Sequence, residues 1–530
     1  MTNHQLKTMK QIDISQHQLP PLQTWDLDTE LLRFAGETER SSFTIRNAVE
    51  GVQIFGGIGS GKTSASGRLI ALKYLLHGFG GLVLTVKPDE KDTWLGYAKT
   101  TGREKDIIVI EPGQNKYVFN FLEYESKLRN GVSYTDNIHE VLRTVIRAAE
   151  EKAGGRSDDA FWENALDLFM SNVITLCLLA HERVTVQLLF DIAQSAPKRA
   201  DVSNTNEYGA SEPTAYQKAV TIVKDRMKKA ISEWSSQYDA EYIQSLPEDI
   251  YESLLEDAIP GYRDLKMLNN FFMDSFFNIG DKTRAIIEFC LTSFLQRLLR
   301  DPIYSLFARY NSTVTPEDCL NGKVIILNLP VKQYHKAGQD AQILFKYIWQ
   351  RAIEQRDIKI FDRPVFLYCD ESSLLLHEHD AEFQATARSS RVATVYLSQN
   401  LPNYFASMGG EKSIYKVKSF LGTLATKIFH ANSCVETNEM TSQLIGQAYQ
   451  QDYSRNVNLG QQFSVSKGTS VKLESMVRKE ELSRLKTGGP INNFICESYV
   501  VIQGKTFSNG FNYRKVGFHQ NIHPYTDINS

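Results

Sequence analysis

The sequence has few cysteines, and their positions do not suggest a structural role. Six cysteines occur among 530 residues, and no two of them form a C-x-x-C pair. A disulfide scaffold or a zinc ribbon needs paired, regularly spaced cysteines, so both classes are excluded. The scatter predicts reduced, mostly buried thiols in a cytosolic compartment, at Cys177, Cys290, Cys319, Cys369, Cys434 and Cys496.

The chain also lacks an excess of charge of either sign. Its 59 lysines and arginines nearly balance its 62 aspartates and glutamates, so the formal net charge is −3. This balance excludes a globally basic nucleic-acid coat but leaves room for a local basic channel. The hydrophobic share of 42% excludes wholesale disorder.

Long apolar runs are absent as well. The longest, Ala165–Ala180, contains Asp167 and Asn172 and is shorter than the ~20 residues that a membrane span requires. We therefore predict a buried helix there. The N-terminal segment Met1–Gln23 is polar and has no apolar signal-peptide core. These absences predict a cytoplasmic, soluble protein.

Short apolar strands alternate with helices near both ends of the chain. Apolar runs typical of buried strands occur at 52–55, 81–86, 107–110, 324–329, 365–369, 393–397 and 426–429. Such alternation predicts an α/β fold with a parallel sheet covered on both faces. Between the two groups, residues 137–306 show almost only helical spacing. A helical block of roughly 180 residues, within the usual range of domain sizes, therefore interrupts the α/β core.

A glycine-rich loop joins the first of these strands to a predicted helix, Ser64–Leu76. Its sequence, Gly56-x-x-x-x-Gly61-Lys62-Thr63, is a complete Walker A pattern. Glycines let backbone N–H groups surround phosphate oxygens, and the helix N-terminus adds a favourable dipole. Lys62 would neutralise phosphate charge, and the Thr63 hydroxyl would ligate Mg²⁺. We predict that ATP with Mg²⁺ binds at Gly56, Gly57, Ile58, Gly59, Ser60, Gly61, Lys62, Thr63 and Ser64.

An acidic pair, Asp370 and Glu371, directly follows the predicted strand 365–369. A phosphate-binding loop needs a carboxylate at the end of a neighbouring strand to hold Mg²⁺, and Asp370 suits that position. Glu371 is suited to act as the general base that activates water. The alternative is that the pair caps a helix. With the Walker A loop in the same chain, we favour the catalytic interpretation.

The strand at 393–397 ends in Ser398-Gln399-Asn400. At that end of the sheet Gln399 would face the γ-phosphate and could sense it or orient water, although an ordinary loop glutamine fits the same pattern. Arg388 and Arg391 precede the strand on a predicted helix. An arginine often stabilises a transferring phosphoryl group, but from the pattern alone we favour a solvated helix face for both residues.

Four other segments have simpler interpretations. The residues His377-Glu378-His379-Asp380 look metal-binding, but the segment is predicted as a loop, where this spacing does not bring both histidines to one side, so we do not expect a metal site. The basic run Lys224–Lys229 fits a solvated helix face better than a DNA contact. Residues 453–471, rich in Asn, Gln, Ser and Gly, are predicted to form a long exposed loop, and Phe494–Phe507 a hairpin at the sheet edge.

The combined pattern resembles the coupling-protein ATPases of type IV secretion and conjugation, within the FtsK/HerA superfamily. Ala387-Arg388, eleven residues before Gln399, is similar to the family's Gly-Arg-Lys…Gln arrangement. The turn at 87–90 resembles, in altered order, the family's Asp-Pro-Lys-Gly-Glu turn. Further similar segments, from about Gly51 to Phe518, are 119–122, 159–165, 280–284 and 480–485.

This resemblance implies a RecA-like P-loop NTPase core with a large inserted all-α domain. We predict an N-terminal arm at 1–47, motor segments at 48–125 and 319–530, and the insertion at 126–318. In the family the arginine at the position of Arg388 is thought to reach a neighbouring active site, which implies a ring, a homohexamer. The implied function is ATP hydrolysis that drives DNA, or a protein–DNA complex, toward a secretion channel.

The implied partners are DNA, bound through its phosphates without sequence preference, and relaxosome or channel proteins. Two alternatives stay open: a cytosolic HerA-like translocase that works with a nuclease in repair or phage defence, and a recruiting platform for protein cargo. Typical coupling proteins begin with transmembrane helices, and this sequence shows none. A partner at the membrane, a fully cytosolic pump and a chain without its anchor are all compatible with that departure.

Overall fold

The structure, a computed structural model, describes residues 25–34, 36–38, 41–126, 134–152, 160–198, 212–408, 413–459 and 463–521. Its strands are β1 (Glu30–Leu32), β2 (Phe43–Thr44), β3 (Val52–Phe55), β4 (Gly80–Leu84), β5 (Ile107–Ile110), β6 (Val324–Leu327), β7 (Val365–Cys369), β8 (Val392–Ser398), β9 (Thr426–His430), β10 (Gln447–Leu459), β11 (Phe463–Ser475), β12 (Ile495–Ile502) and β13 (Tyr513–His519).

The α-helices are α1 (Ile45–Val49), α2 (Arg68–Leu76), α3 (Glu90–Thr100), α4 (Phe121–Glu125), α5 (Tyr134–Lys152), α6 (Ala160–His181), α7 (Val186–Gln194), α8 (Ala215–Ser235), α9 (Ala240–Ser245), α10 (Glu248–Ala258), α11 (Tyr262–Asn270), α12 (Asp281–Leu298), α13 (Ile303–Phe307), α14 (Val331–Glu354), α15 (Asp380–Thr386), α16 (Leu401–Met408), α17 (Ser413–Gly422), α18 (Val435–Ile445) and α19 (Lys479–Leu482).

One nine-stranded sheet organises the core, in the order β13-β12-β9-β3-β8-β7-β4-β6-β5. The strands from β9 to β5 are parallel, and β12 and β13 continue the sheet antiparallel. The central strands are buried along their whole length, as expected for a sheet covered on both faces. The predicted α/β class is confirmed.

Successive residues of each strand pack into two different apolar clusters. Leu367 of β7 belongs to one cluster and its neighbour Phe366 to the other, because strand side chains alternate between faces. The first cluster continues without a break into the helices between β5 and β6, where it includes Phe169 and Phe272. The helical insertion therefore shares its core with one face of the sheet.

Helix α6 contains the stretch that we predicted as a buried helix, but only one of its faces is buried, and Leu168 is 52% exposed. By length and composition, Phe161–His181 is long and apolar enough to cross a membrane, and 39% of its most apolar window is buried. The helix has 22 residues, more than the apolar stretch from which we predicted it. Phe169 stacks on Phe276 with ring centroids 4.6 Å apart, and Val173 and Cys177 are fully buried. These contacts are those of a helix in a protein core.

Two predictions about the C-terminal part were wrong in detail. Residues 453–471, apart from 460–462, which lie outside the described residues, form strands of an antiparallel ribbon, β10–β11, and not a loop. Their composition is typical of loops, but apolar residues two positions apart, Val457 with Leu459 and Phe463 with Val465, suit a strand. The predicted edge hairpin exists, but its second strand is Tyr513–His519 and lies beyond Phe507.

The cysteines are all free thiols, as predicted, and four of them are buried. Within the described part of the chain, no cluster of three or more His, Cys, Asp and Glu side chains is arranged to hold a metal ion. The domain boundaries stay a prediction.

Candidate nucleotide-binding site

The site lies where the carboxyl ends of β3, β8, β7 and β4 meet at one edge of the sheet. The glycine-rich loop follows β3, Gln399 follows β8, and the acidic pair follows β7. We predicted the acidic pair at the end of a strand next to β3, but the acidic strand is β7, and β8 lies between the two. This order places Gln399 between the phosphate-binding loop and the carboxylates.

The glycine-rich loop needs glycine for conformation and for space. Gly59 and Gly61 have φ angles of 71° and 87°, in the left-handed region that favours glycine. A side chain at Gly61 would lie 2.1 Å from the Sγ of Cys496, and one at Gly56 would lie 2.3 Å from the Oγ of Ser60. The loop is therefore packed tightly against the residues around it.

The helix after the loop begins with a wide turn. Thr63–Gly67 form a π-helical turn, in which the N–H of Gly67 donates to the carbonyl of Lys62 at 2.9 Å, and α2 follows. The hydroxyl of Ser66 lies 2.7 Å from Nε2 of His430, below the loop. Burial and the nearby charge of Lys62 lower the pKa of His430 to about 3, so this imidazole is neutral. Ser64 accepts a hydrogen bond from Gln520 at 2.8 Å.

Lys62, Glu371 and Gln399 meet in the cleft. The Nζ of Lys62 lies 3.4 Å from Oε1 of Glu371, and the amide of Gln399 donates to the same oxygen at 3.1 Å. Glu371 has a positive φ of 52°, and its side chain makes no cap hydrogen bond to the short 3₁₀ turn that follows. Its carboxylate faces the cleft instead, which argues against the helix-cap alternative.

Asp370 is the meeting point of several donors. Its Oδ2 accepts from the Thr63 hydroxyl at 2.9 Å and from the Nζ of Lys87 at 3.0 Å, and its Oδ1 accepts from the N–H of Glu371 at 3.0 Å. A hydroxyl and a carboxylate oxygen within hydrogen-bonding distance are the hard oxygen ligands that Mg²⁺ prefers. The residues present therefore fit a magnesium ion beside a bound phosphate.

The cleft around these residues has a volume of about 750 Å³, which suits a nucleotide. All the predicted loop residues from Gly57 to Ser64 line it, together with Glu371 and Gln399. Gly56 precedes the lining residues in the chain, and Asp370 is buried and contacts the lining residue Thr63. The structure thus brings together every predicted site residue except Arg388.

Lys87 and Glu90 are site residues that our sequence reasoning did not assign. Burial opposes the charge of Lys87, but Asp370 outweighs it and raises the pKa of this lysine. Burial, and then the charge of Asp370, raise the pKa of Glu90 to about 8. The available signal was the position of Lys87, three residues after β4, whose carboxyl end lies at the same sheet edge. Val86, Lys332, Gln339, Ser373, Leu374, Asn403, Ala406 and Ser407 also line the cleft.

Arg388 lies at the opposite edge of the sheet, before β8 begins. It is in a turn after α15, not in the predicted helix, and forms an ion pair with Glu50 at 3.3 Å. Its side chain is 55% exposed. Arg391 donates to the carbonyls of Trp25 and Asp362, so it has a structural role.

The segment 377–380 is an anchor and not a metal site. Asp380 is buried and accepts hydrogen bonds from Lys346, Gln350, Tyr396 and the backbone of His377, at 2.6 to 3.1 Å. Burial alone would raise the pKa of Asp380, but the charges of His377 and Lys346 hold it well below its usual range. The carboxylate therefore stays ionised inside the core.

Comparisons with known proteins agree with this picture. A family model described as the TraM recognition site of TraD and TraG matches residues 364–487. The trigonal form of the bacterial conjugative coupling protein TrwB, in complex with sulphate, superimposes with a TM-score of 0.55 at 13% identity, over 94% of this chain and 92% of that chain. No curated protein matches the sequence.

Two nucleotide complexes of TrwB are similarly close. The complex with the ATP analogue ADPNP gives a TM-score of 0.54 at 14% identity, over 94% of this chain and 91% of that chain. The complex with ADP and Mg²⁺ gives a TM-score of 0.52 at 12% identity, over 92% of this chain and 90% of that chain. At such identities the likeness establishes the fold.

The fold is that of a RecA-like P-loop NTPase with a large inserted all-α domain, as predicted. Within this class the chain resembles the conjugative coupling proteins, and the family model and the TrwB structures confirm the resemblance stated from the motifs.

Proposed function

We propose that this protein is an ATP-hydrolysing motor that recruits DNA, or a protein–DNA complex, and pumps it toward a conjugation channel of the type IV secretion class. The observation that carries the proposal is the cleft in which Lys62, Glu371 and Gln399 form one contact network beside the Thr63–Asp370 pair. These are the parts that phosphoryl transfer to water requires.

Each residue has a distinct task in hydrolysis. The loop amides bind the phosphates of ATP, and Lys62 leaves Glu371 to join them when ATP binds. Thr63 and Asp370 would hold Mg²⁺, which would supply positive charge against the developing charge on the phosphate oxygens. Glu371, released from Lys62, then accepts a proton from the attacking water, and Gln399, which already donates to Glu371, keeps the carboxylate oriented and contacts the γ-phosphate.

Arg388 serves a neighbouring subunit. The seven residues of β8 separate it from the cleft edge, a distance of roughly 23 Å at the usual strand rise, so it does not act on its own chain's nucleotide. Its exposed side chain suits an arginine supplied in trans, and a homohexameric ring would place it at the next cleft. A ring also accommodates the net charge of −3, since only its channel must be basic to bind DNA phosphates.

The partner and the location follow from the same proposal. The match of residues 364–487 to a TraM recognition site supports a relaxosome protein as partner. We place the protein in the cytoplasm, at the inner face of the cell membrane through a partner.

The test is the rate of ATP hydrolysis with and without single- and double-stranded DNA, together with particle mass. We expect an oligomer whose hydrolysis rises with DNA and loses that stimulation at high salt. Lys62→Ala is the control for contaminating ATPases and should be inactive. A monomer without DNA stimulation would contradict the motor proposal.

The platform alternative has its own test. Glu371→Gln should retain ATP binding and lose hydrolysis by about 10²–10⁴-fold, the usual share of a general base. If the motor proposal holds, DNA transfer in cells is lost with it. Transfer that survives the loss of hydrolysis would favour recruitment over pumping.

A further inference from the structure

A second lysine, Lys87, faces the carboxylates of the nucleotide cleft from the side opposite to the glycine-rich loop. The register of β4 and β7 pairs Leu84 with Cys369, so the residues that follow each strand lie side by side. This places the Nζ of Lys87 at 3.0 Å from Oδ2 of Asp370, the oxygen that also accepts from Thr63.

The two lysines of the cleft differ in freedom. The side chain of Lys62 is 9% exposed and that of Lys87 is 33% exposed, although both line the same cleft. The backbone that carries Lys87 is fixed, because the N–H of Val86 donates to Glu90 at 2.7 Å and its carbonyl accepts from Lys332 at 3.1 Å. Because the backbone of Lys87 is fixed and its long side chain is partly exposed, the ammonium group can move within the cleft while the backbone stays in place.

Lys87 and a metal ion compete for one oxygen. In the nucleotide-free chain the ammonium group neutralises Asp370. Two cations on the same carboxylate oxygen repel each other, so Lys87 must leave Asp370 when the metal is bound. The terminal phosphate of a nucleotide between the loop and β7 is the next anionic group within the cleft, and an ammonium group is a good phosphate donor.

We propose that Lys87 is a further phosphate-binding residue, which neutralises Asp370 before nucleotide binds and contacts the terminal phosphate once the magnesium–ATP complex is bound. The inference rests on the proposed nucleotide site and adds to it a lysine from the same chain. It makes the cleft selective for a triphosphate, because a diphosphate leaves Lys87 without a phosphate partner.

The experiment measures equilibrium binding of a non-hydrolysable ATP analogue and of ADP, each with Mg²⁺, to wild-type protein and Lys87→Gln. We expect the preference for the ATP analogue over ADP to fall about tenfold in Lys87→Gln, the size of one charge-assisted contact. In the ADP complex, the Mg²⁺ concentration needed for half-saturation should fall, because the competitor for Asp370 is gone. Lys87→Arg should restore part of the preference.

Lys91→Gln is the matched control. Lys91 lies one helical turn further on and pairs with Glu111 at 3.0 Å, and it does not line the cleft, so its loss should leave both measurements unchanged. Lys87→Met, which keeps the apolar stem, repeats the test should Lys87→Gln unfold. An unchanged ATP-to-ADP preference in a folded Lys87 variant overturns the inference alone. Failure of wild-type protein and Lys91→Gln to bind either nucleotide overturns the proposed site, and the inference with it.

Discussion

The nucleotide cleft and the cluster around Asp380 are built from the same pair of groups, a lysine and a carboxylate. Both depend on the stretch of chain that follows β7, from Asp370 to Asp380. In the cleft, Lys87 is 33% exposed, while its partner Asp370 is 3% exposed and also accepts from a hydroxyl; Lys346 and Asp380 are 1% and 0% exposed. Access to water thus separates a pair that can exchange partners from one that cannot.

This difference explains why one stretch of chain can serve two purposes. A pair beside an open cleft can be broken at modest cost, because water or a ligand solvates the separated groups. A dry pair cannot open without leaving a bare charge in the core. Asp370 can therefore change partners when a ligand enters the cleft, while Asp380, ten residues on, stays paired with Lys346 of α14.

The largest expected effect comes from breaking the buried ion pair of Lys346 and Asp380. Lys346→Met should destabilise the protein by about 3–5 kcal/mol, because Asp380 is left buried and ionised without its cation. The midpoint of urea unfolding, followed by tryptophan fluorescence, measures the loss, and Trp349 on the same helix lies in the affected core.

Lys87→Gln is the matched variant for this comparison, because it also removes one lysine from one aspartate. The substitution should lower the free energy of unfolding by about 1 kcal/mol or less, because the side chain of Lys87 is partly exposed and Asp370 keeps two other hydrogen-bond donors. Equal losses in the two variants would mean that burial does not distinguish the two pairs.

A smaller effect is expected from the hydrogen bond that links Gln399 to Glu371. Gln399→Ala removes a donor at 3.1 Å from the carboxylate that we assign as base. We expect the single-turnover rate of hydrolysis to fall about tenfold, the usual value of one hydrogen bond to a charged group. The unfolding midpoint should stay near that of the wild type, because the side chain lies in the open cleft. A stability loss without a rate loss would assign Gln399 to the core and not to the chemistry.

The sequence alone predicts the cleft well and the Asp380 cluster poorly, for a physical reason. The residues of the glycine-rich loop are contiguous in the sequence, so eight positions are enough to recognise its pattern. The acidic pair and Gln399 directly follow apolar runs that are recognisable as strands, so their place at the sheet edge can also be predicted. The contact between Lys87 and Asp370 joins residues 283 positions apart and depends on strand register. No local pattern contains that register.

The sequence of the Asp380 cluster contains two signs of a buried polar group, and our interpretation used only one of them. The segment 377–380 suggests metal ligands, and the decisive partner, Lys346, lies on α14 between the apolar residues Phe345 and Tyr347. A lysine among apolar residues of a helix predicts a buried acidic partner, but the sequence does not identify which residue that partner is. The β10–β11 ribbon was missed because its composition is typical of loops, although the alternation of its residues suits a strand.

The smallest expected effect concerns the far end of the same stretch, where it meets the helical insertion. Nε2 of His379 lies 3.4 Å from Oε1 of Glu140 on α5, and Arg147 of that helix pairs with Glu378 at 3.3 Å. The ion pair with Glu140 raises the pKa of His379 although burial lowers it, and Glu382 and Glu378 act in the same direction as Glu140. The same ion pair lowers the pKa of Glu140 to about 2.

The sign of the pH dependence follows from these shifts. A raised histidine pKa gives stability that is fully present below the unfolded value of ~6.5 and is lost as pH rises through the folded value. The lowered pKa of Glu140 gives stability that is present above the unfolded value of ~4.3 and is lost as pH falls toward about 2. The contact should therefore be strongest between about pH 4.5 and 6.5.

We expect His379→Gln to reduce stability by about 1 kcal/mol at pH 5.5 and by less at pH 8.5, because both side chains are partly exposed. Urea unfolding of wild type and variant at the two values measures this, and the difference between them removes the titration of the other histidines. A difference that is the same at both pH values would show that His379 acts through packing. A difference that shrinks as pH rises would show that the stretch after the acidic pair is tied to the helical insertion by charge.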